Sequence, residues 1–214
     1  MGEKTDATAL ADRLDDARQA VYREHILNVA EVACGRSGFA AAKVGDIATN
    51  AGISLATLYK SFAGKADLWD ALNADRMKEF TRVVTERTSG IASPLERLLV
   101  GARAEIEFFA EHDAFLDLHL RDGLSWGTAS TFPGAGHGAQ RVAWEAGMAM
   151  KAATAREAIE AGEARPMRAE VIAALVISSL QIWLTDWIAT GRTRPVEVVA
   201  DELLEHLRRS LAAG

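Results

Sequence analysis

VGDIATNAGISLATLYKSF, from Val44 to Phe62, places two short helical runs on either side of a tight turn. In the first run Val44, Ile47, Ala48 and Ala51 fall at i, i+3, i+4 and i+7, one face of a helix. Gly52 follows the last turn, where the backbone often needs a positive φ. Ser54 is a good N-cap for the second run. Leu58 and Phe62 face inward at i and i+4, Ile53 plugs the turn, and Ala48 is small where the helices cross. The pattern predicts a helix-turn-helix. It leaves Ser54, Ala56, Thr57, Tyr59, Lys60 and Ser61 outward or sideways. Hydroxyls, a phenol, an ammonium and one small residue suit a phosphate backbone and base edges.

The flanking sequence is also helical in pattern. Alternating apolar–polar runs are scarce, and alanine, leucine, glutamate and arginine dominate. Residues 1–16 are expected as a flexible arm. A first helix runs from about Ala17 to Arg36, with Tyr22, Ile26, Ala30, Ala33 and Cys34 inward. A fourth runs from Lys65 into the eighties, with Leu68, Leu72 and Phe80 inward. Ser93-Pro94 opens a helix to about Glu111, and another covers Asp113 to Asp122. The segment Gly123 to Gly138 holds Trp126, Phe132 and Pro133 and is expected as a long mobile loop. Helices follow from Ala139 to Gly162, from Arg168 to Thr190, and from Pro195, the last with Val199, Leu203, Leu207 and Leu211 on one face. The expected class is all-α, with a helix-turn-helix domain at 17–64 and a second helical domain at 65–214, which the resemblance described below implies to be the effector-binding and dimerisation domain.

Composition narrows the function. The 214 residues are 49% hydrophobic and 25% charged, which is globular. A net charge of -6 excludes a uniformly basic nucleic-acid protein. The charge is uneven, however: -3 over residues 1–16, +1 over 17–80 and -4 over 81–214. No acid lies between Asp46 and Asp67, where Lys60 and Lys65 do. A single cysteine, Cys34, leaves no intrachain disulfide or cysteine-rich zinc site and suits a cytoplasmic, reducing setting. Residues 1–20 are too acidic for a signal peptide. The apolar stretch Val171 to Leu184 is short for a bilayer span, so no membrane partner is expected.

DIATNAGISLATLYKSF followed by AGKADLWDAL resembles the DNA-binding domain of the TetR (tetracycline repressor) family of transcription regulators. The marks are Asp46-Ile47-Ala48, Ala51-Gly52, Ser54, Thr57-Leu58-Tyr59, Phe62 and Lys65-Ala66-Asp67-Leu68, with Ile26-Leu27, Ala30 and Gly38-Phe39 upstream. Lys43 stands where the family often opens its second helix with threonine. Ala56 replaces a common glycine, and Ser61 a larger residue. The resemblance implies a homodimer on double-stranded operator DNA, released by a small-molecule effector. Thr57, Tyr59 and Lys65 match phosphate-contacting positions. Ser54, Ala56, Lys60 and Ser61 sit on the reading surface of the third helix, and Lys43 joins the expected DNA-binding set.

The resemblance also places a dimer on the last two helices as a four-helix bundle, for which Leu175, Ile182, Leu203, Leu207 and Leu211 are candidates. It surrounds an effector pocket with the middle helices, where Phe108, His112, Phe115, His119, Trp126, Trp144, Met148 and Trp183 are candidates. Apolar candidates outnumber the rest, so an apolar or aromatic effector is expected. Glu105, Glu107 and Glu111 read as a solvated face. No P-loop, zinc motif, dinucleotide fingerprint or nucleophile elbow is present, so no catalytic residue, cofactor or metal is expected. The competing expectation is an all-helical carrier or enzyme with an incidental helix-turn-helix.

Overall fold

The computed structural model describes residues 2–121 and 138–213. Among them the regular structure is helical: α1 Gly2–Ser37, α2 Val44–Asn50, α3 Leu55–Ser61, α4 Lys65–Thr88, α5 Pro94–Glu111, α6 Asp113–Arg121, α7 Gly138–Glu160, α8 Ala169–Ala189 and α9 Val196–Leu211. Trp126, Phe132 and the rest of the expected loop up to residue 137 lie outside the described residues. The chain divides into two units, Met1–Leu72 and Asn73–Gly214.

In the first unit the helix begins at Gly2, well before Ala17, so residues 2–16 do not form the separate arm expected of them. The physical reason is in the sequence. No glycine or proline interrupts residues 3–34, and Glu3 and Asp6 suit the positive end of a helix dipole. The buried stripe of α1 is Ile26, Leu27, Ala30 and Cys34. Tyr22, expected inward, is exposed. Burial pushes the Cys34 thiol up, partly offset by the Lys65 ammonium, so the thiol stays protonated as a small core residue. Leu68, Trp69 and Leu72 are buried, and the Trp69 ring lies 5.0 Å from Phe39. That places residues 65–72 of α4 in the first unit, beyond the expected boundary at 64.

The second unit packs α5 on α7, α8 and α9, and α7 on α8. Leu98, Leu99, Ala102 and Ile106 of α5 meet Ile172, Val176, Leu180 and Leu184 of α8 and the α9 stripe in one core. By length and composition α8 would also cross a bilayer, but that face of it is buried inside this core.

Two sets of hydrogen bonds fix helix ends. Ser93 caps α5 by accepting the Glu96 N–H at 3.1 Å. Glu163 Oε2 accepts the Ser93 hydroxyl at 2.7 Å and the Leu95 N–H at 2.9 Å. The Ser93 hydroxyl and then the Leu95 N–H hold the Glu163 carboxyl below its usual range. Two residues further along, Arg165 donates from Nε to the Ala212 carbonyl at 2.9 Å and from its guanidinium to that of Arg209 at 3.1 Å. The backbone completes the clasp, with Arg165 N–H on Leu211 and Ala213 N–H on Glu163.

Candidate nucleic-acid interface and effector cavity

The turn between α2 and α3 closes as the sequence requires. Gly52 has φ +68. Its N–H donates to Thr49 O at 3.0 Å and the Ile53 N–H to Ala48 O at 3.0 Å, the double bond of a left-handed helix stop. Ser54 then caps α3: its Oγ accepts the Thr57 N–H at 3.0 Å and lies 2.8 Å from Thr57 Oγ1. From α1, His25 Nε2 donates to the Ala51 carbonyl at 3.1 Å. Leu58 and Phe62 are fully buried, which orients the rest of α3 outward.

Ser54, Ala56, Thr57, Tyr59 and Lys60 are accordingly exposed, as is Lys43 in extended backbone before α2. Ser61 and Lys65 are half-buried. Lys65 Nζ donates to the Ala40 carbonyl at 2.9 Å and lies 4.7 Å from the centre of the Phe39 ring. Two residues join this surface that the sequence reading did not single out. Leu55, 44% exposed, opens α3 beside Ala56 and offers methyl groups of the kind that meet a thymine methyl. Arg23 of α1 donates to the Ser61 carbonyl at 3.3 Å and covers the Phe62 ring at 4.6 Å. Leu55 had a signal, being an apolar residue outside the Leu58–Phe62 stripe. Arg23 had none, because its contact spans thirty-eight positions of chain.

In the second unit the aromatic residues nominated for an effector divide. Phe108, Phe115 and His119 are buried. Phe108 stacks on His112 at 4.3 Å, Phe115 packs on His119 at 4.1 Å, and His119 meets Trp144 at 6.4 Å. His112 Nε2 also lies 3.2 Å from Glu79 Oε2. Met148 is partly buried against the same core. Trp183 is partly buried against it too, with its ring 4.9 Å from that of His206 of α9. Burial drives the His119 ring down to about 4, while Nδ1 donates to the Phe115 carbonyl at 2.9 Å. Among the described residues no three of His, Cys, Asp or Glu converge as a metal site.

A cavity of about 80 Å³ opens instead between α4, α5 and α7, lined by Val84, Thr88, Leu98, Gly101, Glu105 and Lys151 among others. Glu105 is 2% exposed, and Lys151 Nζ donates to its Oε1 at 2.5 Å. This corrects the reading of Glu105 as solvated. Its spacing from Leu98, Ala102 and Phe109 (i+7, i+3 and i-4) puts it on the inward stripe, a signal present in the sequence.

The candidate dimer residues also divide. Leu175 and Ile182 of α8 are 39% and 61% exposed. Leu203, Leu207 and Leu211 are buried in the chain's own core, so they are not surface available to a partner. The amphipathic pattern of α9 is satisfied within one subunit.

Residues 26–72 match the family described as "Bacterial regulatory proteins, tetR family". No curated protein matches the chain. Among solved structures, a putative transcriptional regulator from Saccharomonospora viridis in complex with choline is similar at 19% identity, over 91% of this chain and 100% of that one, with a TM-score of 0.75. The ketosteroid transcriptional regulator KstR2 of Mycobacterium tuberculosis is similar at 21% identity, over 90% and 95%, with a TM-score of 0.68. AibR in complex with isovaleryl coenzyme A and operator DNA is similar at 21% identity, over 88% and 99%, with a TM-score of 0.71. At these identities the likeness speaks for the fold across nearly the whole chain. The helix-turn-helix of α2 and α3 lies inside the matched residues 26–72, so this stretch is a DNA-binding domain of the tetR family type, and the solved structures extend the likeness of fold over nearly the whole chain.

Proposed function

We propose that the protein is a ligand-responsive repressor of the cytoplasm that binds its operator as a homodimer through α3 and the residues around it, and carries no catalytic activity. The observation that carries this reading is the outward set Ser54, Ala56, Thr57, Tyr59 and Lys60 on a helix whose other face is sealed by Leu58 and Phe62. Lys43, Ser61 and Lys65 flank it. Phosphate contacts from the lysines supply affinity through counterion release, and α3 reads base edges. The net negative charge does not forbid this, because only charges within about 10 Å act on these lysines at ordinary salt. One seven-residue helix reads few bases, so two copies on successive major-groove faces, about 34–36 Å apart, are required. The exposed α8 residues Leu175 and Ile182 supply the partner surface.

The effector acts by binding one of two states more tightly than the other, which changes the spacing of the recognition helices. Operator and effector must then weaken each other by the same factor. The relatives' ligands are as unlike as choline and isovaleryl coenzyme A, so the effector class has to come from this chain's own cavity. The test is fluorescence anisotropy of labelled DNA from upstream of the protein's own gene. Saturable, salt-sensitive binding by a dimer supports the reading. Binding no tighter than to scrambled DNA overturns it.

A further inference from the structure

The polar wall of the α4–α5–α7 cavity carries one acid, Glu105, two bases, Lys151 and Arg97, and the hydroxyls of Thr88 and Thr154. Glu105 presents a carboxylate that is 3% exposed as a side chain, held by Lys151 at 13%. The Thr88 hydroxyl donates to Val84 O at 2.8 Å and that of Thr154 to Met150 O at 3.1 Å, both on their own helices. Each threonine oxygen has therefore spent its proton and keeps lone pairs to offer. Arg97, also on the wall, is paired with Glu157. Around these lie the apolar groups of Val84, Leu98 and Met150. Gly101 keeps the floor open: a Cβ there would stand 3.7 Å from Thr88 Cγ2 and 4.0 Å from Val84 Cγ1.

We infer that this cavity is a cation-exchange site: an aliphatic amine in its ammonium form displaces the Lys151 head group from Glu105 and takes its place, with the alkyl stem against Val84, Leu98 and Met150. The inference rests on the effector-binding reading of the second unit and names the chemistry of the effector. The asymmetry of the pair sets the sign of the ligand. Glu105 sits on the inward stripe of α5 and cannot swing out to water; solvent reaches it only through the cavity. Lys151 reaches it on a flexible stem of four methylenes and regains hydration by swinging out. A cationic ligand therefore leaves the buried carboxylate paired. An anion would have to take Lys151 and strand that carboxylate, which is the costly way to break a buried pair. At about 80 Å³ the cavity admits a head group and a short stem, since a water occupies about 30 Å³ in the liquid. The wider recesses are less committed. The one between α6 and α8, at about 450 Å³, has its charges, Asp117 and Arg192, already paired at the half-exposed rim.

Calorimetric titration of the full-length dimer with n-pentylammonium, pentanol and pentanoate tests the inference. Pentylammonium is expected to bind at least ten-fold tighter than either analogue. Glu105→Gln should weaken it at least ten-fold, and Lys151→Met, which removes the resident competitor, should tighten it several-fold. The two variants move in opposite directions, so loss of folding in one does not imitate the result. Equal or tighter binding of pentanoate, or pentylammonium affinity unchanged in both variants, overturns the inference. Operator anisotropy in the same samples separates the two readings. If another compound releases the operator while pentylammonium does not bind, the cation site fails and the regulator stands. If pentylammonium binds at Glu105 and the operator stays bound at saturation, the site stands and its coupling to DNA fails.

Discussion

The Thr57 backbone N–H donates to Ser54 Oγ at 3.0 Å, so the residue that opens the recognition helix also holds it closed. A helix of seven residues cannot sustain itself in water, and its cap is a large share of what keeps it formed. Ser54→Ala should cost about 1 kcal/mol of stability and weaken operator binding. Ser54→Asp should restore the cap, and with it the melting temperature, but not DNA affinity, because it sets a carboxylate beside phosphate. Thermal melts and anisotropy on both variants check this. Full operator affinity in Ser54→Asp would remove Ser54 from the interface.

Lys65 and Lys60 should behave differently. Lys65 is anchored on Ala40 O and the Phe39 ring, which fixes its ammonium in one place, and the proposed interface uses it there as a phosphate contact. Lys65→Ala is expected to weaken binding to all sequences and to lower the slope of log K against log salt by about 0.9 per lost contact. Lys60 is exposed on the reading face, and Lys60→Ala should chiefly alter which operator is preferred. Salt titrations on a panel of operator variants distinguish the two. Unchanged slopes and unchanged preferences in both would move the interface elsewhere.

Protonation of His119 should undermine the second unit. Burial lowers its ring from 6.5 to about 4, so the unfolded chain takes up a proton that the folded one refuses. Stability from this group is complete above about pH 6.5 and is lost as the pH falls towards 4, a change of about 3 kcal/mol. Urea titrations from pH 7 to 4.5 on the wild type and on His119→Gln measure it. The wild type should show the steeper decline, and parallel curves would contradict a neutral buried ring.

Leucines on the last helix and the apolar residues of α8 should part company under mutation. Leu203 is fully buried in one subunit, so Leu203→Ala should cost about 2–5 kcal/mol. Ile182 is 61% exposed, so Ile182→Asp should leave the helical content intact and convert dimers to monomers. Light scattering and circular dichroism read the two effects. A dimeric Ile182→Asp would place the partner surface away from this face of α8.

Much of this architecture is legible along the chain because its punctuation is local. Gly52 and Ser54 mark the turn, and Ser93-Pro94 opens α5 where the structure begins it. The outward placement of Ser54, Ala56, Thr57, Tyr59 and Lys60 follows from the spacing of Leu58 and Phe62 alone. What escaped reading depends on partners distant in sequence. Glu105 is an acid by type but core by position, and its partner Lys151 lies on α7. The α9 stripe shows that Leu203 and Leu207 are buried, but not whether their own subunit or another covers them. At the amino end, the residues expected as a flexible arm belong to the start of a continuous helix.

The clasp formed by Arg165 falls at the point where α9 would otherwise unwind. Helix ends fray first, because their last carbonyls lack partners within the helix. Here any such fraying must first release the Arg209 and Ala212 carbonyls from one guanidinium. Leu203, Leu207 and Leu211 are therefore guarded from behind, and slow amide exchange should extend along α9 to its last turn.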